Sequence, residues 1–133
     1  MLRSNKSWGP MDPLISIVDD DEGSREALAV LTRSFGFVAE TYSSANEFLA
    51  STHLAMTACL IADVNMPGMT GLQLHRRLMR LGHAIPTVLI TAYPDDAVRA
   101  RAIADGVIGY VSKPCSDATL LGVVLSALKT VDR

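Results

Sequence analysis

The stretch Leu60-Ile61-Ala62-Asp63-Val64-Asn65-Met66-Pro67-Gly68-Met69 decides the fold. An apolar run climbs to a single carboxylate and breaks at once into a Pro/Gly loop. Continuous apolar runs suit strands covered on both faces, which belong to parallel sheets. Such a strand, ending in an acid and then turning, presents that acid at its C-terminal edge. Ligands bind at that edge in open α/β sheets. Asp63 is therefore the first candidate for chemistry.

The same unit recurs on both sides of this stretch. Leu14-Ile15-Ser16-Ile17-Val18 reads as a first strand and ends in Asp19-Asp20-Asp21-Glu22. Residues 24–35 then read as a helix with Leu28, Leu31 and Phe35 on one face, closed by Gly36 as a left-handed cap. Residues 37–42 form a second strand. Ser44-Ala45-Asn46-Glu47 fits a capping box and opens a short helix through Phe48 and Leu49. The third strand is 58–64. Thr70-Gly71 leads into a helix with Leu74, Leu78 and Leu81 inward and Gln73, His75, Arg76, Arg77 and Arg80 outward. Residues 86–91 are a fourth strand. Pro94-Asp95-Asp96 suits the start of a helix that ends at Gly106. Residues 109–112 are a fifth strand, stopped by Lys113-Pro114. A last helix, capped by Ser116 or Asp117, carries Leu120, Leu121, Val124, Leu125 and Leu128 on its buried side. Strand and helix thus alternate five times. The fold class is α/β, a doubly wound five-stranded parallel sheet with helices on both faces.

Composition bounds the function. The 133 residues, 49% hydrophobic and 20% charged, suit one globular domain. We place it at residues 14–130, after a polar leader over 1–13 that is read as flexible, with Met11 as a second possible start. A net charge of −2 gives no electrostatic footprint for nucleic acid. No apolar run approaches the ~18 residues a membrane span needs. Cys59 and Cys115 follow no disulfide or metal spacing, which points to a reducing, cytoplasmic setting.

The polar residues at the strand ends are Asp19 and Asp20, Asp63, Thr91 and Lys113. In a parallel sheet these ends share one edge. Taken singly, each has a plain reading: a solvated acidic turn, a strand-end hydroxyl, a surface lysine. Taken together, they form a pocket. Adjacent carboxylates raise one another's pKa, and a hard divalent cation relieves that repulsion. Mg2+ suits a few carboxylates, a carbonyl and waters in octahedral geometry. A carboxylate, Mg2+, a lysine and a hydroxyl make a site for phosphoryl transfer to or from the carboxylate.

At this point the sequence resembles the receiver domain of two-component response regulators. The matching pieces are residues 17–22, 60–71, 90–92 and 109–114, in order and spread over nearly the whole chain. The resemblance implies a flavodoxin-like strand order 2-1-3-4-5. It implies that Asp63 is the phosphoacceptor and Asp20 a direct Mg2+ ligand, with Asp19 acting through water. Asn65 would offer its backbone carbonyl to the metal, its side chain being freer to vary. Lys113 would pair with the phosphoryl oxygens. Thr91 would bond to the phosphoryl group and, with Tyr110, carry the switch. Ala92, Tyr93 and Asn65 would modulate the lifetime of the phosphorylated state. Lys113-Pro114 matches a step that is often cis in the family. The implied partners are a histidine kinase or phosphotransfer protein and, through the face of the fourth helix, fifth strand and fifth helix, a downstream protein or a second copy. No nucleic acid or membrane partner is implied for this domain alone.

Other readings stay in view. A haloacid-dehalogenase-type phosphohydrolase also uses an aspartyl nucleophile, but wants a second Asp where Asn65 stands. An FMN binder would need a phosphate-cradling first turn, and Asp19-Asp20-Asp21-Glu22 repels phosphate. An inactive receiver-like module that only binds protein is the third. His53, His75 and His83 lie at no strand end and are read as surface residues.

Overall fold

A computed structural model describes residues 12–131, with the side chains of 130 and 131 left aside. The leader expected over 1–13 therefore lies almost wholly outside the described residues, as does Met11.

Five strands, β1 (Leu14–Val18), β2 (Val38–Tyr42), β3 (Thr57–Asp63), β4 (Thr87–Thr91) and β5 (Gly109–Ser112), alternate with five helices. These are α1 (Glu22–Ser34), α2 (Ala45–Leu49), α3 (Gly71–Arg80), α4 (Asp96–Ala104) and α5 (Asp117–Val131). A 3₁₀ turn, Leu54–Met56, precedes β3. All pairings are parallel, in the order β2-β1-β3-β4-β5. The doubly wound sheet and its implied strand order are thus both present.

The central strands are covered on both sides. Every residue of β1 and β4 is buried. Side chains alternate between two cores. Val18, Leu60, Ala62 and Leu89 pack with α2, α3 and α4 residues such as Phe48, Leu74, Leu78 and Ala102. Ile15, Ile17, Ile61, Val88 and Ile90 pack with Leu28, Ala29, Leu120 and Val124 of α1 and α5. Cys59 belongs to the second core, and burial pushes its thiol up to about 12. Buried hydroxyls pair: Ser16 Oγ lies 2.7 Å from Thr57 Oγ1.

Helix ends follow local chemistry. Thr70 and Gln73 form a reciprocal capping box at α3. Ser44 accepts from Glu47 N, but Glu47 reaches Ser43 rather than Ser44, so the box expected at α2 is shifted by one residue. Gly36 and Gly106 close α1 and α4 with φ of 95° and 92°, a region that favours glycine.

Four expectations need correction. α1 begins at Glu22, before Ser24, because the Asp21 carboxylate accepts the Ser24 N–H as N-cap. His75 is 3% exposed, since the inward stripe of α3 runs Gly71, Leu74, His75, Leu78. Leu81 is 57% exposed because it is already the C-cap, beyond the helix. On α5 the buried stripe is Leu120, Val124 and Ala127, which turns Leu125 out to solvent and leaves Leu121 and Leu128 partly buried.

Gly71 is where helix α3 presses on the chemical edge. A Cβ there would stand 2.5 Å from the Asp63 carbonyl oxygen, whereas one at Gly23 would find only ordinary contact at 3.6 Å. Gly71→Ala is expected to lower the unfolding free energy by about 1–3 kcal/mol through overpacking. Gly23→Ala is expected to raise it by about 0.5–1 kcal/mol. Urea titration of both variants measures the two signs.

Candidate functional site

The strand ends meet as the topology requires. β1 stops at Val18 and delivers Asp19, β3 stops at Asp63, and β4 stops at Thr91. Register sets their heights: Asp63 pairs with Ile90, and Thr91 with Ser112. Lys113 follows directly, its N–H donating to Thr91 O at 2.7 Å. The Lys113–Pro114 bond is cis.

Lys113 ties the edge together. Its Nζ lies 2.8 Å from Asp19 Oδ2 and 3.1 Å from Asp63 Oδ2, so one ammonium bridges carboxylates from two strands. Asp19 is fully buried and well supplied with donors: Asp21 N at 2.9 Å, Ser24 Oγ at 2.7 Å and Lys113. The Arg25 guanidinium also donates to the Asp19 backbone carbonyl at 2.8 Å. Asp63 has Lys113 and the Asn65 N–H at 3.1 Å.

The two carboxylates titrate in opposite directions. Burial works to raise Asp19, but hydrogen bonds from Lys113, Asp21 and Ser24 outweigh it and hold the group below its ordinary value. Burial raises Asp63 as well. There the Asn65 N–H and Lys113 do not compensate, and the Asp19 charge adds to the rise. Burial would lower Lys113, yet its two carboxylate partners hold it above the usual lysine value.

A third acid completes the edge. Asp20 is exposed, and carboxylate oxygens of Asp19, Asp20 and Asp63 lie within 4.8 Å of one another. Three hard oxygen donors at that spacing fit a small divalent cation. The acidic run is thus no plain solvated turn. One member is buried, one is exposed at the cluster and one caps a helix.

The remaining expected residues divide. The Thr91 hydroxyl is buried and donates to Asn65 Oδ1 at 2.8 Å, while accepting the Tyr93 N–H at 2.9 Å. Ala92 is exposed, and the Tyr93 side chain is 76% exposed, so only the Tyr93 backbone engages the edge. Tyr110 is half-buried. Its hydroxyl accepts the Asp95 N–H at 3.1 Å, at the N-cap of α4. His53 and His83 are half-buried, and neither is at this edge.

Sequence reasoning missed Ser24 and Arg25, which brace Asp19. Their signal was their place in the first turn after the acidic run. It named Asn65 as a modulating residue but not the bond that its side chain accepts from Thr91.

The comparisons agree on one family. The family model described as "Response regulator receiver domain" matches residues 15–125. The response regulator protein TmoT of Ectopseudomonas mendocina is 41% identical over 118 residues, 89% of this chain and 54% of that protein. The response regulator protein TodT of Pseudomonas putida is 40% identical over 116 residues, 87% of this chain and 51% of that protein. The chain thus spans about half the length of these relatives. Among solved structures, FixJ-N superposes with a TM-score of 0.82 at 31% identity, covering 90% of this chain and 95% of that one. Among the described residues, no helix is long and apolar enough to cross a membrane.

The raised Asp63 pKa makes a signed prediction for metal-free buffer. A folded pKa above the unfolded one means that ionising Asp63 opposes folding at neutral pH and costs nothing below the unfolded pKa. Asp63→Asn is therefore expected to stabilise the protein at pH 7. The gain should fade as pH drops through the carboxylate range. Thermal unfolding of both forms across pH, with EDTA present, measures it.

Proposed function

This chain belongs to the response regulator receiver family, and on that premise we propose that it takes a phosphoryl group onto Asp63 from a histidine kinase or phosphotransfer protein. The observation that carries this reading is the Lys113 bridge, which sets a fixed cation beside an aspartate whose burial its neighbours do not offset.

In the transfer, an Asp63 carboxylate oxygen attacks phosphorus. The P–O bond forms, the P–N bond of the donor phosphohistidine breaks, and the imidazole leaves with its electron pair and gains a proton. Little covalent work falls to the protein, so positioning and charge carry the rate. Lys113 faces the forming phosphoryl oxygens. Ser24, Arg25 and the Asp21 N–H hold Asp19 in place. Asp20, Asp63 and the Asn65 backbone carbonyl, with Asp19 through water, would hold Mg2+, which offsets the phosphoryl charge when bound. The domain acts in signalling and turns over no substrate of its own beyond slow hydrolysis of its acyl phosphate. Two free cysteines suit work in the cytoplasm.

Output follows from Thr91 and Tyr110. A phosphoryl group brings new acceptor oxygens. Thr91 turning toward them opens space behind it, and Tyr110, released from Asp95, fills that space. The α4–β5–α5 face then changes shape. Among its elements, α4 carries exposed Arg99, Arg101 and Ile103, and α5 exposed Leu125. A partner or a second copy that binds the new shape better shifts the equilibrium by its differential affinity. Ala92, Tyr93 and Asn65, around the mouth of the site, would set how long the acyl phosphate lasts.

Intact mass after incubation with acetyl phosphate and Mg2+ tests the reading. Wild type is expected to gain one phosphoryl group, Asp63→Ala none, and EDTA should abolish the gain. Equal labelling of both proteins would contradict Asp63 as acceptor. Separately, Mg2+ should raise the melting temperature of wild type by mass action. Asp20→Ala should melt near wild type without metal and lose that rise.

A further inference from the structure

The Thr91 hydroxyl has one proton, and in this structure Asn65 holds it. Oγ1 already accepts the Tyr93 N–H at 2.9 Å, so it turns its proton to Asn65 Oδ1 at 2.8 Å. Asn65 is itself anchored to the acceptor, its N–H donating to Asp63 Oδ1 at 3.1 Å. One residue therefore links the phosphoacceptor loop to the β4 hydroxyl, through its backbone on one side and its amide on the other. The register of β3 against β4 makes this possible. Asp63 lies opposite Ile90, which sets Asn65, two residues on, within reach of Thr91, one residue on.

We propose that the Asn65 side chain is a positioning residue that clasps Thr91 in the unphosphorylated arrangement and competes with the phosphoryl group for its proton. The proposal rests on Asp63 phosphorylation as read above and adds a device to it. A hydroxyl that must donate to a phosphoryl oxygen has first to leave Asn65. While the clasp is closed, the one proton of Oγ1 is committed to Asn65, and Thr91 has a reason to stay where it is. Breaking one neutral hydrogen bond is a modest barrier to population. That suits a switch whose two states must lie close in free energy. The clasp biases the resting state without touching the chemistry: Asn65 would meet the metal through its main chain, and no side-chain atom of it enters the transfer.

The clasp predicts that shortening Asn65 makes the active arrangement easier to reach. Calorimetric titration of beryllofluoride, a phosphoryl analogue, in the presence of saturating Mg2+ reads this directly on the full chain. Asn65 is exposed in a loop, and Asn65→Ala is expected to fold as wild type. Its affinity for the analogue should rise about twofold to tenfold, the range one neutral hydrogen bond spans. In a Thr91→Ala background the same change should have no effect, because the proton it frees is absent. Mg2+ affinity without the analogue, titrated on the same two proteins, reports any change in the metal loop itself.

Unchanged or weaker analogue binding by Asn65→Ala overturns the clasp. So does a gain that persists without the Thr91 hydroxyl, or one matched by an equal gain in Mg2+ affinity, since either would place the effect in the loop and not in Thr91. Wild type that binds no analogue, or binds it as well after Asp63→Ala, overturns the underlying reading and the clasp with it. Wild type binding that depends on Asp63, beside an inert Asn65→Ala, sinks the clasp alone.

Discussion

One ammonium holds the chemical edge together. Lys113 reaches back from the end of β5 to carboxylates at the ends of β1 and β3, and without it two buried acids would face each other unpaired. Removing the lysine is costly because the two carboxylates would keep their desolvation penalty and their mutual repulsion. The arrangement is also uneven. Asp19 collects donors from the α1 turn until its proton is held weakly, while Asp63 receives too few to offset its burial. Two like groups pushed apart by their surroundings commonly hold different roles. Here the well-satisfied acid suits a fixed charge and the under-satisfied one suits a nucleophile.

That bridge exists only because the sheet is parallel and in register. Strands covered on both faces need apolar residues along their whole length, which confines polar chemistry to their ends. Parallel pairing then brings the C-terminal ends of β1, β3, β4 and β5 to one side. Gly71 shows how tightly the scaffold closes on the site, since the first residue of α3 leaves no room for a side chain against the Asp63 carbonyl. Stability and function therefore share the same few atoms.

Much of this was legible in the sequence. Apolar runs that end abruptly in Asp63, Thr91 or Lys113 carry both the strand and the polar end in one signal. Strand-end residues were for that reason easier to place than helix faces. His75 and Leu125 went wrong because a helical stripe can be rotated by one residue and still look apolar, and Leu81 because the helix ends just before it. The neighbouring core, which decides the rotation, is built from distant strands. The bond between Asn65 and Thr91 was hidden for a different reason. It depends on the stagger between β3 and β4, and nothing local to Asn65 encodes that stagger. Ser24 and Arg25 were missed for a similar reason, since their partner is the strand end before their helix.

The central claim is that Asp63, held beside Lys113 at this edge, is the residue that receives the phosphoryl group. Borohydride reduction of the protein after exposure to a phosphodonor and Mg2+ tests it at the atom concerned, because an aspartyl phosphate is reduced to homoserine where it stands. Peptide fragmentation should find homoserine at position 63 and nowhere else, and only when Mg2+ was present. Homoserine at another aspartate, or none despite phosphoryl uptake, would contradict the account.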